Sequence, residues 1–198
     1  NKLLNETYKK MEQGLSSETT SVERVTKGIK ITIRGNLFKS TSADVEPEFY
    51  PVIHRIGKII RESEVINIFD DKNYAALLTL IDKKGLQLDV EVRCEGHTDD
   101  AKLPLNADYP SNWELSSARS LNLVRLLSTY AQMPERLFSA MGYGQFRPII
   151  PVKDDSTGQI LIRDRQDLRD ARGTNRRVEI YLDAFLKQKV QSKIEINI

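Results

Sequence analysis

The sequence predicts an α+β fold: a two-layer sandwich with one mixed four-stranded sheet and helices on one of its faces. Two observations predict it. Three segments alternate apolar and polar residues with period two, the signature of strands with one buried and one wet face. Between them lie segments of helical length, and a sheet with a single wet face needs helices to cover the other. At 198 residues, the chain has room for one ordinary domain and a few dozen further residues, and folding buries roughly 70% of the extended surface without staples.

Residues 1–28 are polar, with Leu4, Tyr8, Met11, Leu15, Val22 and Val25 on heptad a/d positions and Glu18 as the misfit. They read either as a linker that partly packs on the domain or as a short dimerisation helix. Gly14 and the Ser16, Ser17, Thr19, Thr20, Ser21 run weaken any isolated helix there. The domain proper is expected over 29–183, with 184–198 a C-terminal tail. Its first strand sets Ile29, Ile31 and Ile33 against Lys30, Thr32 and Arg34. Helices are expected at about 47–62, 72–84 and 112–131. The second strand sets Leu88, Val90, Val92 and Cys94 against Asp89, Glu91, Arg93 and Glu95. A further strand covers 137–143, and the last sets Val178, Ile180 and Leu182 against Arg177, Glu179 and Tyr181. The order is βαβαββ with one extra helix. Residues 63–75 and 153–172 read as solvated insertions; Asp70–Asn73 and Asp154–Gly158 lack the closing glutamate of a calcium loop.

Thirty Lys and Arg against 28 Asp and Glu, mixed along the chain, argue against a nucleic-acid module. No stretch reaches the roughly 20 apolar residues of a membrane span. The chain opens on Asn1, and the expectation is a fragment whose targeting segment lies upstream. Cys94 can form no internal disulfide and is expected in the core. His54 flanks the apolar face of the first helix, and His97 reads as a loop anchor. With no histidine pair at ligand spacing and no nucleophile–base pair, neither a metal site nor a catalytic residue is predicted. Gly142-x-Gly144 lacks the third glycine of a dinucleotide fingerprint and reads as a turn.

The informative stretch is Glu95 to Arg119. Gly96 at a strand end permits a sharp exit or a close backbone approach, which puts His97–Asp100 on a loop. Ser111 with Glu114 forms a capping-box pattern, with Asn112 an equally good cap. Leu115, Ala118, Leu121, Val124 and Leu127 or Ser128 trace a core-facing stripe, and Arg119 stands at its edge, one turn in. A helix N-terminus plus a guanidinium suits a carboxylate. With the Asp99 loop folded over this end, the composite would hold a small zwitterion: carboxylate on Arg119 and backbone N–H groups, ammonium on Asp99. Trp113 and Tyr109 invite a sugar-stacking role, but a tryptophan in a first helical turn reads more readily as a packing anchor.

Gly96-His97-Thr98-Asp99, then Asn112-x-x-Leu115-Ser116-x-x-Arg119, resembles the peptidoglycan-binding signature of the OmpA-like family. Gly142-Tyr143-Gly144-x-x-x-Pro148 and Asn175-Arg176-Arg177-Val178-Glu179-Ile180 match further blocks in order. Asp99-Asp100, Pro104, Tyr109 and Ser111–Ser116, with the Leu37–Asp44 block after the first strand, are closer still to the branch formed by flagellar stator B subunits. The resemblance covers about 29–183. It implies an OmpA-like fold and non-catalytic, cofactor-free binding of the peptidoglycan peptide stem in the periplasm, with Asp99 and Arg119 gripping its diamino acid. Asn112, Leu115 and Ser116 match the rest of the motif, Asn112 as an additional polar contact. Arg177 either lines the same groove or forms a strand-face ion pair. The stator branch further implies a homodimer, a MotA-like channel partner and a single-pass inner-membrane anchor upstream, the domain holding the wall so that torque can develop. Outer-membrane tethers and non-flagellar motors use the same kind of domain. The longer 63–85 and 149–174 stretches, and Ser120 where the family usually has alanine, are departures that leave the pocket in place.

Overall fold

The computed structural model describes residues 2–154 and 156–189. Its elements are α1 (Lys2–Leu15), β1 (Thr20–Val25), β2 (Gly28–Arg34), α2 (Tyr50–Arg61), α3 (Glu64–Asn67), α4 (Ala75–Lys83), β3 (Leu86–His97), α5 (Asn112–Ala131), β4 (Phe138–Gly142), α6 (Arg165–Asn175) and β5 (Arg177–Gln188). The α+β sandwich is the expected one, but the sheet has five strands in the order β1-β2-β5-β3-β4. Only β3 and β4 pair in parallel. That pair needs a crossover, and α5 supplies it.

The extra strand corrects the reading of residues 1–28. The helix stops at Leu15 because Ser16 and Ser17 follow, and the β-branched Thr20, Val22 and Val25 then pair with β2 from Thr20↔Ile33 to Val25↔Gly28. Val22 and Val25 thus belong to a hairpin and not to a heptad seam. The apolar stripe of α1 turns onto its own chain: Met11 is fully buried, Leu15 nearly so, and Leu4 and Tyr8 pack against the same cluster.

The core lies between one sheet face and two helices. Ile29, Ile31, Ile33, Val92, Cys94, Ile180 and Leu182 meet Ile53, Ile56 and Ile60 of α2 and Leu123, Leu127 and Ala131 of α5, all with no exposed surface. Cys94 packs there as expected, and burial raises its thiol pKa far above the ordinary value. On α5 the stripe differs from the expected one. Leu121 faces solvent and Leu123 the core, since the helix turns its Ser116, Ser120, Leu123, Leu127 row inward.

The outer sheet face, expected to be wet, is buried at its centre. Glu95, Arg177, Glu179 and Asp183 are all less than a tenth exposed. Charges tolerate this because they are paired. Arg93 bridges Glu95 and Asp183 (Nη2 to Oδ2, 3.0 Å) and lies 4.1 Å over the Tyr181 ring; Arg177 Nε donates to Glu179 Oε1 at 2.6 Å.

Two segments expected as loops carry helices. Ser63 caps the short α3. Asp164 caps α6 by accepting from Gln166 and Asp167 N–H groups. The Arg/Asp-rich α6 has almost no apolar face to read, and only Ala171 and Asn175 are buried on it. The Asp154 carboxylate is engaged by Ser156 and Thr157 of its own turn, while Asp155 of that loop lies outside the described residues. The expected 184–198 tail begins as strand: β5 pairs with β3 as far as Leu86↔Gln188, and residues 190–198 lie outside the described residues.

Met11→Ala removes a fully buried side chain and is expected to cost about 2–4 kcal/mol in urea denaturation, with a midpoint that does not change with protein concentration.

Candidate functional site

Two glycines fix how α5 meets the sheet. A Cβ on Gly96 would lie 2.2 Å from the Ser116 carbonyl oxygen, and one on Gly142 would lie 2.3 Å from Ser117 Oγ. The backbone of α5 therefore rests directly on the ends of β3 and β4. Ser116 is completely buried in that contact: its hydroxyl donates to the Trp113 carbonyl and accepts from the Gly144 N–H at 2.9 Å. It does not reach the cleft, so its place in the motif is structural. Ser120 is satisfied in the same way by the Ser117 carbonyl.

The close contact carries the N-terminal end of α5 beneath the loop that leaves β3. Ser111 is the cap, accepting from Trp113 N–H and donating to Glu114, which settles the choice between Ser111 and Asn112. Asn112 is freed for another task. Its amide donates to the carbonyls of Asp99 (3.3 Å) and Ala101 (3.0 Å) and to Gln145 Oε1 (2.8 Å), clamping the 99–101 loop to the helix. β3 runs to His97, two residues further than expected, and Thr98 N–H then bonds the Gly144 carbonyl. His97 is a buried strand residue stacked on Tyr143 at 5.3 Å, and burial with Arg177 beside it lowers its pKa to about 4.

A cleft of about 500 Å³ opens between the 98–104 loop, the 35–46 loop and α5, with Asp99, Asn112, Leu115, Arg119, Arg176 and Arg177 among its walls. Arg119 lies two turns into α5 and is nearly buried. Its Nε donates to the Ser42 carbonyl (2.9 Å), its Nη2 to the Lys39 carbonyl (3.3 Å), and its guanidinium sits 5.0 Å over the Phe38 ring. The Leu37–Asp44 block thus cradles the arginine. Burial lowers the Arg119 pKa to about 10 against the opposing pull of Asp99, so it stays cationic at neutral pH. Among the described residues, Nη1 has no hydrogen-bond partner.

Asp99 accepts from the Ala101 N–H at 2.9 Å and pairs with Arg176 Nη1 at 2.6 Å. It is not paired with Arg119, the closed arrangement that a vestigial pocket would have. Arg176 was missed from the sequence, where nothing separates it from its neighbour Arg177; it caps α6 just before β5 and pairs with Asp99, while Arg177 opens the strand. Arg177 forms the strand-face ion pair with Glu179 and donates to the Arg147 carbonyl, while its edge also lines the cleft. Asn175 completes the block by binding Ile149 N–H, Ile150 N–H and the Ile150 carbonyl. Behind the loop, Asp100 is held by Arg172 (2.7 Å) and Lys153 (2.7 Å). Burial raises its pKa, but these two cations prevail and bring it to about 2. Trp113, expected as a packing anchor, is 48% exposed and stacks at 5.0 Å on the still more exposed Phe146.

Over 175 residues, 88% of the chain, the sequence is 26% identical to Motility protein B of Bacillus subtilis strain 168, of which it spans about half the length (50%). The cell wall anchor of the T6SS from Pseudomonas aeruginosa superposes with a TM-score of 0.57 at 26% identity, covering 92% of this chain and 97% of that one. Over most of its length the chain is similar to MotB and to a cell wall anchor domain. The periplasmic domain of Helicobacter pylori MotB shares the fold, with a TM-score of 0.54 at 23% identity over 85% of this chain and 88% of that one. No family model matches the chain. Among its described residues the chain has no helix long and apolar enough to cross a membrane.

The Asp100 contacts make a pH-dependent contribution to the stability of the domain. Because the folded pKa is depressed from 3.8 to about 2, the stabilisation is present above the unfolded value and is lost as pH falls through the folded one. Asp100→Asn is expected to destabilise the domain at pH 7 by about 1 kcal/mol, with the difference from wild type shrinking between about pH 4 and pH 2 in urea titrations.

Proposed function

We propose that the cleft binds the peptide stem of peptidoglycan without catalysis and so anchors an envelope complex to the cell wall from the periplasm. The observation that carries this reading is a cleft open to solvent in which the Asp99 carboxylate and the Arg119 guanidinium remain unpaired with each other. A stem diamino acid presents an ammonium and a carboxylate. The ammonium meets Asp99, sharing it with the half-buried Arg176, and the carboxylate meets Arg119 Nη1, whose other nitrogens are already fixed by backbone carbonyls. Pre-fixing the guanidinium removes rotamer entropy that a free arginine would lose on binding. Leu115 gives the cleft an apolar wall, and Asn112 acts by holding the loop that presents Asp99.

Each charge-assisted contact contributes about 1.5–3 kcal/mol, so a single cleft holds its ligand weakly. A homodimer, and several complexes on one wall, raise retention by avidity. The likeness to Motility protein B over most of the chain supports the finer reading: a stator B subunit, working with a MotA-like channel partner and anchored through a single-pass segment, that holds the wall while torque is generated. The likeness to a T6SS cell wall anchor supports a second reading, an anchor of a non-flagellar machine or an envelope tether, which uses the same cleft.

Co-sedimentation with insoluble peptidoglycan tests the common core of both. Wild type is expected in the pellet, with Asp99→Ala and Arg119→Ala each weakening retention by about tenfold or more while keeping a native circular dichroism spectrum. Wild type in the supernatant overturns wall binding, and variants that pellet like wild type overturn the assignment of these two residues.

A further inference from the structure

At the edge of the cleft, which His97 also lines, β3 and β5 bring together three buried side chains that the proposed ligand contacts do not use. Glu95 and His97 follow one another on the same face of β3, and Glu179 is the register partner of Glu95 on β5. One ligand atom of each lies within 4.8 Å of the other two, and all three residues are buried. His97 Nε2 stands 3.8 Å from Glu95 Oε2 and 3.9 Å from Glu179 Oε2, too far for a hydrogen bond to either. Its side chain is 2% exposed, and among the described residues neither ring nitrogen has a partner. A buried imidazole left in this way costs free energy that nothing else at the site recovers.

The surrounding charges point the free atoms inward. Arg93 pairs with Glu95 through Oε1 and Arg177 with Glu179 through Oε1. In both glutamates Oε2 is left toward His97. Glu179 Oε2 also accepts the Tyr181 hydroxyl at 2.6 Å, a contact of the kind that orients a carboxylate ligand. We propose that Glu95, His97 and Glu179 form a zinc site, with Glu95 Oε2, His97 Nε2 and Glu179 Oε2 as ligands and a water as the fourth. One imidazole and two carboxylates are a donor set that zinc accepts in four-coordinate geometry. Ligands about 2.0–2.2 Å from the metal lie about 3.3–3.6 Å from each other, so the two histidine–carboxylate separations, 3.8 and 3.9 Å, need to close by only a few tenths of an ångström, and the two carboxylate oxygens, within 4.8 Å of each other, turn toward the ion by a side-chain adjustment. The ion would lock β3 to β5 immediately before the strand releases the Asp99 loop, a structural role independent of the wall-binding reading.

The test uses the full chain, stripped with EDTA and titrated with zinc chloride by calorimetry, and with cobalt(II) followed by visible absorption. One equivalent of zinc is expected to bind, and cobalt to give the intense spectrum of a four-coordinate site. His97→Gln is expected to weaken binding by about tenfold or more, with His54→Gln, on the exposed face of α2, unchanged. A wild-type chain that takes up no zinc, or gives only the weak spectrum of hydrated cobalt, overturns the site without recourse to any variant. Uptake that survives His97→Gln or disappears with His54→Gln also overturns it.

Discussion

The rest of the site depends on a contact to which the strands contribute no side chain. Gly96 and Gly142, one on each of the parallel strands, let the first turns of α5 lie against the strand ends, where a single methyl group would overlap the Ser116 carbonyl or the Ser117 hydroxyl. From that seating follow the burial of Ser116, the reach of Asn112 to the 99–101 loop, and the projection of Arg119 into the 35–46 loop. Two loops far apart in sequence are thereby hung from one helix, and the cleft is the space between them. A looser helix would leave each element intact and still disperse the charges that face the ligand.

The arginines of this domain divide their work according to what surrounds them. Arg119 is held by carbonyls and an aromatic ring, which fixes its direction while leaving its charge uncompensated by a direct carboxylate. Arg176 has the opposite arrangement, a direct carboxylate partner and a half-exposed side chain that can yield to a competing cation. Arg93 and Arg177 are spent on the outer sheet face, where they make it possible to bury glutamates behind the cleft. Removing one partner from such a buried pair leaves an uncompensated charge, so that face is more sensitive to truncation than its distance from the cleft implies. His97 is the exception within it, a buried polar ring that no protein group satisfies.

What was legible in the sequence was legible through periodicity and local chemistry. The three alternating strands, the α5 segment and the glycine at the end of β3 all follow from side-chain spacing and backbone freedom, which act over a few residues. The ordered motifs placed Asp99, Asn112, Leu115 and Arg119 around one cleft, and all four line it. Local signals misled where two periods overlap. Leu4 to Val25 satisfies a heptad on paper, yet the serine run divides it, so that its first part is a helix packed on its own core and its second an edge strand. The α6 helix was invisible for the converse reason: its stability comes from a cap and from ion pairs to distant residues, without an apolar stripe.

The sequence by itself determined the fold class, the family likeness and several of the residues that line the cleft, because hydrophobic patterning and motif spacing are properties of the chain taken locally. Only the tertiary structure decided what each of those residues does. Whether Ser116 meets a ligand or the Gly144 N–H, whether Asp99 faces Arg119 or pairs with Arg176, and whether the outer sheet face is wet or an ion-paired interior depend on partners 28 to 90 residues away. Hydrogen bonds and charge pairs are short-ranged in space but indifferent to sequence distance, so their assignment waits on the packing that brings the partners together.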